Sequence, residues 1–305
     1  MPVLTLYRHG VSMGVAPMQN PSCRAPRDVI VGWSPGAARR NLHFLQSIDE
    51  RHLTGIGWAL TLTVRNCPES PELWHRLVRD YFQQVGRALG SIGLKLDRYH
   101  YVTEWQKRGV PHLHGAVYIS GGLLDAPSFL KRVWIQYAGR YGASPLGQYV
   151  LPIAGAVGWF QYVSKHAARG IKHYQRSSKA IPGAWQSGTG RMWGKGGDWP
   201  ITPPVRFDVG NPAFHTLRRW ARAWRVADAR SSLPGARPGQ EQAARRRVVS
   251  ARHCLRSPDR YLSEVRGVSE WIPEPVMQRM VTSVSYTHLR AHETDSYLVC
   301  RLLLE

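Results

Sequence analysis

Two histidines lie one residue apart in an otherwise apolar run, RGVPHLHGAVY at residues 108–118. Alternate residues of a β-strand share a face, so a strand here would project His112 and His114 together and Leu113 the other way. Two adjacent imidazoles are suited to sharing one metal ion. They also fit an ordinary strand whose polar side chains face water, which is the commoner case. The local pattern leaves both interpretations open, so the elements around it must decide.

The composition of the 305-residue chain points to a polyanionic partner. Lys and Arg number 41 against 20 Asp and Glu, which gives a net charge of +21. Such a surplus attracts nucleic acid, and anionic lipid more weakly, but it does not indicate catalysis. Four scattered cysteines exclude a disulfide framework, and we find no apolar run long enough for a membrane span and no signal peptide. We therefore expect an intracellular protein without membrane contact.

Strands and helices alternate over the middle of the chain. Strand-like segments occupy residues 57–64, 98–105, 112–119 and 148–153, and helix-like segments occupy 71–89, 128–141 and 155–168. Ser128 is the expected N-cap of the second helix. The order β-α-β-β-α-β-α predicts an α+β fold, in which a central antiparallel sheet of about five strands has helices on one face.

The remaining segments are less regular. Residues 1–54 are expected to be an irregular N-terminal segment, and residues 176–229 a Gly-, Trp- and Arg-rich extension with a basic helix at 212–229. Arg218 and Arg222 fall on one side of that helix, where they either contact phosphate or are simply solvated. Residues 230–283 form a basic region that the composition predicts to be partly disordered.

The last segment, residues 284–305, resembles translated adapter DNA from a sequencing library. VSYTHLRAHET fits one reading frame of such an adapter, and YLVCRLLLE fits the primer site that follows it. The alternative is a genuine amphipathic C-terminal segment. We expect residues 284–305 to be non-native and the natural reading frame to be interrupted near Ser283.

Three motifs resemble, in type and order, those of the HUH endonucleases that initiate rolling-circle replication. They are ALTLTV at 59–64, PHLHG at 111–115 and YVSK at 162–165. GRMWG at 190–194 is similar to prokaryotic members of the filamentous-phage type. Each motif alone is common by chance, whereas the ordered set over roughly residues 55–199 is fairly specific. The resemblance implies an HUH endonuclease domain at residues 55–175 and a phage or plasmid replication protein.

The resemblance assigns His112 and His114 as ligands of a divalent metal. Some viral relatives carry a third, acidic ligand eight positions before the first histidine, which is Glu104 here. A hairpin loop of five residues, 106–110, would pair Glu104 with His112 and place it on the histidine face. A four-residue loop would turn it away. Two nitrogens and one carboxylate suit Mg²⁺ or Mn²⁺, and imidazole favours Mn²⁺.

The resemblance makes Tyr162 the nucleophile, leaving a 5′-phosphotyrosine and a free 3′-hydroxyl. Lys165 lies three residues later on the same helical face, where it would hold a phosphate or favour the phenolate. A merely packing tyrosine is the alternative. In GRMWG, Arg191 and Trp193 are expected to contact DNA, Trp193 by stacking on an unpaired base, although a buried structural tryptophan fits this motif as well.

Together these features predict a single-tyrosine, metal-dependent nickase that opens single-stranded DNA at an origin hairpin and later rejoins it. No GxxxxGK[ST] loop occurs, so a host helicase or the missing C-terminal part of the protein would unwind the duplex. A host polymerase would extend the 3′ end, in the cytoplasm of a prokaryotic cell. A transposase or relaxase with the same chemistry is one alternative, although a tyrosine after the histidines favours replication. The other is a non-catalytic basic protein that binds nucleic acid.

Overall fold

The computed structural model describes residues 2–15, 29–164, 181–231, 233–235, 239, 241–256 and 268–289. Two compact units form, one from residues 25–201 and the other from residues 1–24 and 202–305. The helices and strands, in chain order, are β1 (Pro2–Tyr7), β2 (Gly10–Val15), α1 (Pro35–Gln46), β3 (Ile56–Thr63), α2 (Pro71–Gly90), β4 (Lys95–Trp105), β5 (Pro111–Ser120), α3 (Ala126–Ala138), β6 (Tyr149–Pro152), α4 (Ala156–Val163), β7 (Trp193–Gly197), β8 (Val205–Asp208), α5 (Asn211–Ser231), α6 (Glu241–Arg256), β9 (Val268–Trp271) and α7 (Glu274–Leu289).

The 25–201 unit is built on a five-stranded antiparallel sheet in the order β6-β3-β5-β4-β7. The predicted α+β class and the predicted element order are therefore confirmed. Strand β7 lies in the segment expected to be an extension. Alternating side chains do not mark this strand in the sequence, because glycine occupies positions 194 and 196. A Cβ at Gly194 would come within 2.7 Å of the Tyr101 ring, and a Cβ at Gly196 within 2.4 Å of the Tyr99 ring. Those rings replace the alternating side chains that normally mark a strand.

Helices α2 and α3 cover one face of this sheet. The Phe82 ring of α2 stacks on Tyr99 of β4 with centroids 4.0 Å apart, and the indole nitrogen of Trp74 donates to Thr103 Oγ1 at 3.0 Å. Helix α3 is capped one turn before the residue expected to cap it. Asp125 accepts from the backbone N–H of Ser128, because its carboxylate satisfies a free N–H of the first turn.

Helices α1 and α4 contact the opposite face, so the expectation of helices on one face only is wrong. Phe44 of α1 stacks on His100 of β4 at 5.8 Å, and Tyr162 of α4 lies against His114 of β5. The expectation of an irregular segment over residues 1–54 is also wrong where it is described. Ser34 caps α1 ahead of Pro35, a helix start that the Arg-rich composition obscured.

The second unit contains a four-stranded antiparallel sheet in the order β8-β1-β2-β9. Its core combines residues from both ends of the chain, including Leu4, Met13, Phe214, Leu217 and Met277. Helix α5 agrees with the expected basic helix, and α6 lies in the region expected to be partly disordered. Helix α7 continues past residue 284. Among the described residues, no helix combines the length and apolarity needed to cross a bilayer.

Candidate active site

The β4–β5 hairpin places three potential ligands on one face of the sheet. Glu104 pairs with His112 and Val102 pairs with His114, so that residues 106–110 form the turn. Directly paired residues of antiparallel strands point to the same face. The prediction that a five-residue loop brings Glu104 to the histidine face is confirmed.

The three side chains converge at their polar tips. The Nε2 atoms of His112 and His114 are 3.0 Å apart. A Glu104 carboxylate oxygen lies 3.8 Å from the first of these nitrogens and 3.6 Å from the second. Two nitrogen ligands of one octahedral ion with bonds of about 2.1 Å are themselves about 3 Å apart. This group could therefore hold a metal ion.

A hydroxyl on the neighbouring strand orients one of the imidazoles. Thr61 of β3 pairs with His114, and its Oγ1 lies 2.9 Å from His114 Nδ1. When Nδ1–H donates to Thr61, the Nε2 lone pair of His114 is free to bind a metal, which is how outer hydrogen bonds fix the tautomer of metal-binding histidines. The donor set is also buried, because the side chain of Glu104 is only 1% exposed. A buried carboxylate beside two imidazoles suits a cation, which would compensate its desolvation.

Tyr162 of α4 reaches this cluster. Its phenol oxygen is 3.4 Å from His114 Nε2, and the two rings meet edge to face with centroids 5.3 Å apart. Phe160 anchors the same helix in the core with 1% exposure, whereas Tyr162 is 43% exposed. Residues two apart on a helix point in different directions, so one can be buried while the other faces solvent. Tyr162 is therefore a surface residue whose hydroxyl reaches the cluster.

Comparisons with known proteins identify the family. Residues 57–188 match the family model of replication-associated protein ORF2/G2P. A protein of Xylella fastidiosa strain 9a5c named as a replication protein is 47% identical over 283 residues, which cover 91% of this chain and 94% of that protein. Replication-associated protein G2P of Pseudomonas phage Pf3 is 46% identical over 280 residues, 90% of this chain and 94% of the phage protein. The chain belongs to the ORF2/G2P family. No solved structure matches it significantly.

This membership confirms the resemblance to replication proteins of phages and plasmids. The matched residues contain all three motifs that carried the resemblance, at 59–64, 111–115 and 162–165. Strands β3, β4 and β5 and helix α4 thus supply the candidate site of this ORF2/G2P-family protein.

Pattern reading missed two buried polar residues that tie α4 to the sheet. Asn41 of α1 donates from Nδ2 to the backbone carbonyl of Val163 at 3.1 Å, and its Oδ1 accepts from His100 Nε2 at 2.7 Å. Burial lowers the pKa of His100 to about 3, with a further contribution from Lys195, so its ring is neutral. Asn41 is fully buried on a face of α1 that also buries Ala38, Leu42, Leu45 and Gln46, and the polar residues on that face were the available signal.

The structure places the other predicted residues in different surroundings. Lys165 lies outside the described residues. Arg191 is exposed beside β7, whereas the half-buried Trp193 ring stacks on Phe44 at 5.8 Å. Arg218 and Arg222 belong to α5 in the other unit.

A second phenol shares the cluster's face of the sheet. Tyr149 of β6 pairs with Thr61, which pairs with His114, so the three residues occupy one row across neighbouring strands. Tyr149 is 62% exposed. The sequence alone gave no reason to single out this tyrosine, because its position relative to the histidines depends on strand order.

Proposed function

We propose that this ORF2/G2P-family protein is an HUH-type endonuclease that initiates rolling-circle replication by nicking one DNA strand with Tyr162. One observation carries the proposal. The Tyr162 hydroxyl lies 3.4 Å from His114 Nε2, at the rim of the buried group formed by Glu104, His112 and His114. The net charge of +21 supports a polyanionic substrate.

In the proposed reaction, the Tyr162 oxygen forms a bond to the phosphorus of a phosphodiester as the bond from phosphorus to the 3′ oxygen breaks. The phenol gives up its proton to water at its exposed edge, and the departing 3′ oxygen takes a proton from water. The products are a 5′-phosphotyrosine and a 3′-hydroxyl, with no net change in bond number. Strand cleavage therefore conserves the bond energy needed for later rejoining.

Glu104, His112 and His114 are proposed to hold a divalent cation, for which Mg²⁺ or Mn²⁺ fits the two nitrogens and one oxygen. When bound, the cation supplies positive charge that stabilises the phosphate and the leaving oxygen. Thr61 is proposed to keep the His114 ring in the orientation and tautomer that this role needs. Lys165, three residues beyond Tyr162 in sequence, is proposed to contact a phosphate oxygen.

The 3′-hydroxyl would prime synthesis by a host polymerase while a host helicase unwinds the duplex in the cytoplasm. Attack of a new 3′-hydroxyl on the phosphotyrosine would then release Tyr162 and close the strand. Reversal uses the same residues, because the forward and reverse steps share one transition state.

The decisive experiment uses single-stranded oligonucleotides that tile the parent replicon and carry a fluorophore at the 3′ end. The 3′ label is necessary because the fragment downstream of the nick stays attached to the protein. Wild-type protein with Mn²⁺ is expected to give a labelled band that resists SDS. Tyr162→Phe is expected to lower its yield at least 10³-fold, on the order of the loss when a nucleophile is removed.

Two matched variants make that result specific. Tyr137→Phe removes a phenol from α3, which packs on the opposite face of the sheet, and is expected to leave adduct formation unchanged. Tyr149→Phe tests the other phenol on the cluster's face. Adduct that persists in Tyr162→Phe but disappears in Tyr149→Phe would overturn Tyr162 as nucleophile. Binding without any adduct in the wild type would leave a non-catalytic binder.

A further inference from the structure

An open groove of about 840 Å³ lies within the 25–201 unit and plays no part in the chemistry described above. One wall is formed by residues 29–34 and the first turns of α1, and the other by residues 187–195, which include the start of β7. We call it the basic groove. Its position along β7 places it at the edge of the central sheet.

The basic groove is held open by a buried residue between its walls. Thr189 is fully buried, its Oγ1 accepts from the Gly32 N–H at 2.7 Å, and its own N–H donates to the Ile30 carbonyl at 3.1 Å. His75 of α2 lies 2.9 Å from the Thr189 carbonyl. These bonds fix both walls relative to α2, so a ligand would enter a preformed site and little ordering entropy would oppose binding.

The basic groove combines positive charge with exposed apolar surface. Arg40, Arg191 and Lys195 are exposed along it, and none of the described residues that line it is acidic. Lys195 is held with its ammonium 4.4 Å from the centre of the Phe44 ring. Beside these cations, Val29 and Ile30 remain 64% and 48% exposed. Apolar side chains next to cations favour single-stranded nucleic acid, whose unpaired bases offer apolar faces that a duplex conceals.

Strand register connects the basic groove to the proposed nicking site. Trp193 in its wall pairs with Val102, and Val102 pairs with His114. Two strand spacings of about 4.8 Å separate the Trp193 and His114 backbones by about 10 Å. A short stretch of single strand spans that distance.

The geometry points to the basic groove as the site that binds single-stranded DNA next to the nucleotide attacked by Tyr162. Arg40, Arg191 and Lys195 contact its phosphates. This inference rests on the proposed function for its substrate. The residues of the basic groove, Arg191 among them, bind nucleotides of the strand that lie beyond the reacting phosphate.

The test measures equilibrium binding without chemistry. Full-length Tyr162→Phe protein in EDTA is titrated against a fluorescein-labelled 20-nucleotide oligothymidine at several NaCl concentrations, and anisotropy gives the affinity. When Arg40→Ala, Arg191→Ala and Lys195→Ala are introduced together into this Tyr162→Phe protein, its affinity for the oligonucleotide is expected to fall on the order of 100-fold at 0.1 M salt. The slope of log K against log salt should become shallower by about 2, or ~0.7 for each lost phosphate contact on a single strand.

The matched control removes the same charge from the other face of the sheet. Arg76, Arg79 and Arg87 are exposed on α2, and their combined replacement by alanine is expected to weaken binding less than threefold. Equal losses in the two triple variants would overturn the groove, since only net charge would then matter. An equal loss for a 20-base-pair duplex would overturn its specificity for a single strand. Absence of the covalent adduct in wild-type protein would contradict nicking but leave this binding result unaffected.

Discussion

The candidate site buries one carboxylate beside two imidazoles. Glu104 is 1% exposed and lies within 3.8 Å of both histidine Nε2 atoms. Burying a carboxylate costs free energy unless a positive partner compensates it. The negative charge of Glu104 is therefore expected to strengthen the binding of a cation at this site.

Replacing Glu104 with Gln tests this coupling. The amide keeps the volume and the register of the hairpin but removes the charged ligand, so we expect the affinity for Mn²⁺ to fall at least tenfold, a loss of about 1.4 kcal/mol or more. Calorimetric titration of Mn²⁺ into each protein measures it. Glu69→Gln, at an exposed position before α2, should bind Mn²⁺ as the wild type does. Equal affinities in the two variants would remove Glu104 from the ligand set.

The elements were predictable from sequence where side chains alternate or repeat regularly. The β3 and β5 strands and helix α2 carry clear periodicity. The sequence left a four- and a five-residue turn open, and the strand register of the structure decides for five residues, which pairs Glu104 with His112. Strand β7 was not predictable from the sequence, because it has glycines where it lies against the rings of Tyr99 and Tyr101 and so lacks an alternating side-chain pattern. The hydrogen bond from Asn41 of α1 to the carbonyl of Val163 at the end of α4, the Asn41 clamp, was not predictable because it joins residues 122 positions apart through one buried amide. No local pattern contains that contact.

The clamp leads to a prediction about Asn41, which touches neither the cluster nor the substrate and acts by positioning α4. Asn41→Ala removes the donor to the carbonyl of Val163, the residue that follows Tyr162. It also leaves the His100 N–H without its acceptor. We expect the rate of adduct formation to fall about tenfold, since misplacement of a reacting group by about 1 Å can cost 10²-fold. The Mn²⁺ affinity should stay within twofold, because the ligands lie on β4 and β5.

A stability control separates positioning from general damage. Losing one partner of a buried hydrogen bond costs about 1–3 kcal/mol wherever it occurs. Trp74→Phe also removes a buried bond, the one to Thr103 on the opposite face, and should lower the melting temperature without slowing adduct formation. If Trp74→Phe slows the reaction as much as Asn41→Ala does, Asn41 has no specific positioning role.

At the scale of the whole molecule, the chain folds into two units whose boundaries do not follow the linear order of the sequence. Strand β1 pairs with β8 and β2 pairs with β9; Val3 pairs with Asp208 and Gly10 with Trp271, so both pairings join segments far apart along the chain. Arg225 of α5 forms an ion pair at 2.7 Å with Glu270, which follows it by 45 residues, so this cation of the basic helix is engaged inside its own unit. Local propensity detects such strands and helices only weakly, because long-range pairing stabilises them. The predicted division into consecutive segments could not represent this topology.

This division predicts where the chemistry resides. The candidate ligands, Tyr162, the Asn41 clamp and the basic groove all belong to residues 25–201, and so do the hydrogen bonds that hold them. A protein containing only residues 25–201 is therefore expected to fold, bind Mn²⁺ within about twofold of full-length affinity, and form the covalent adduct. Deleting residues 1–15 from the full chain should instead unfold the other unit, since β8 and β9 would lose their partners and the core would lose Leu4 and Met13. Circular dichroism and the adduct assay measure the two effects. A 25–201 protein that folds and binds Mn²⁺ but forms no adduct would show that residues outside this unit take part in the reaction.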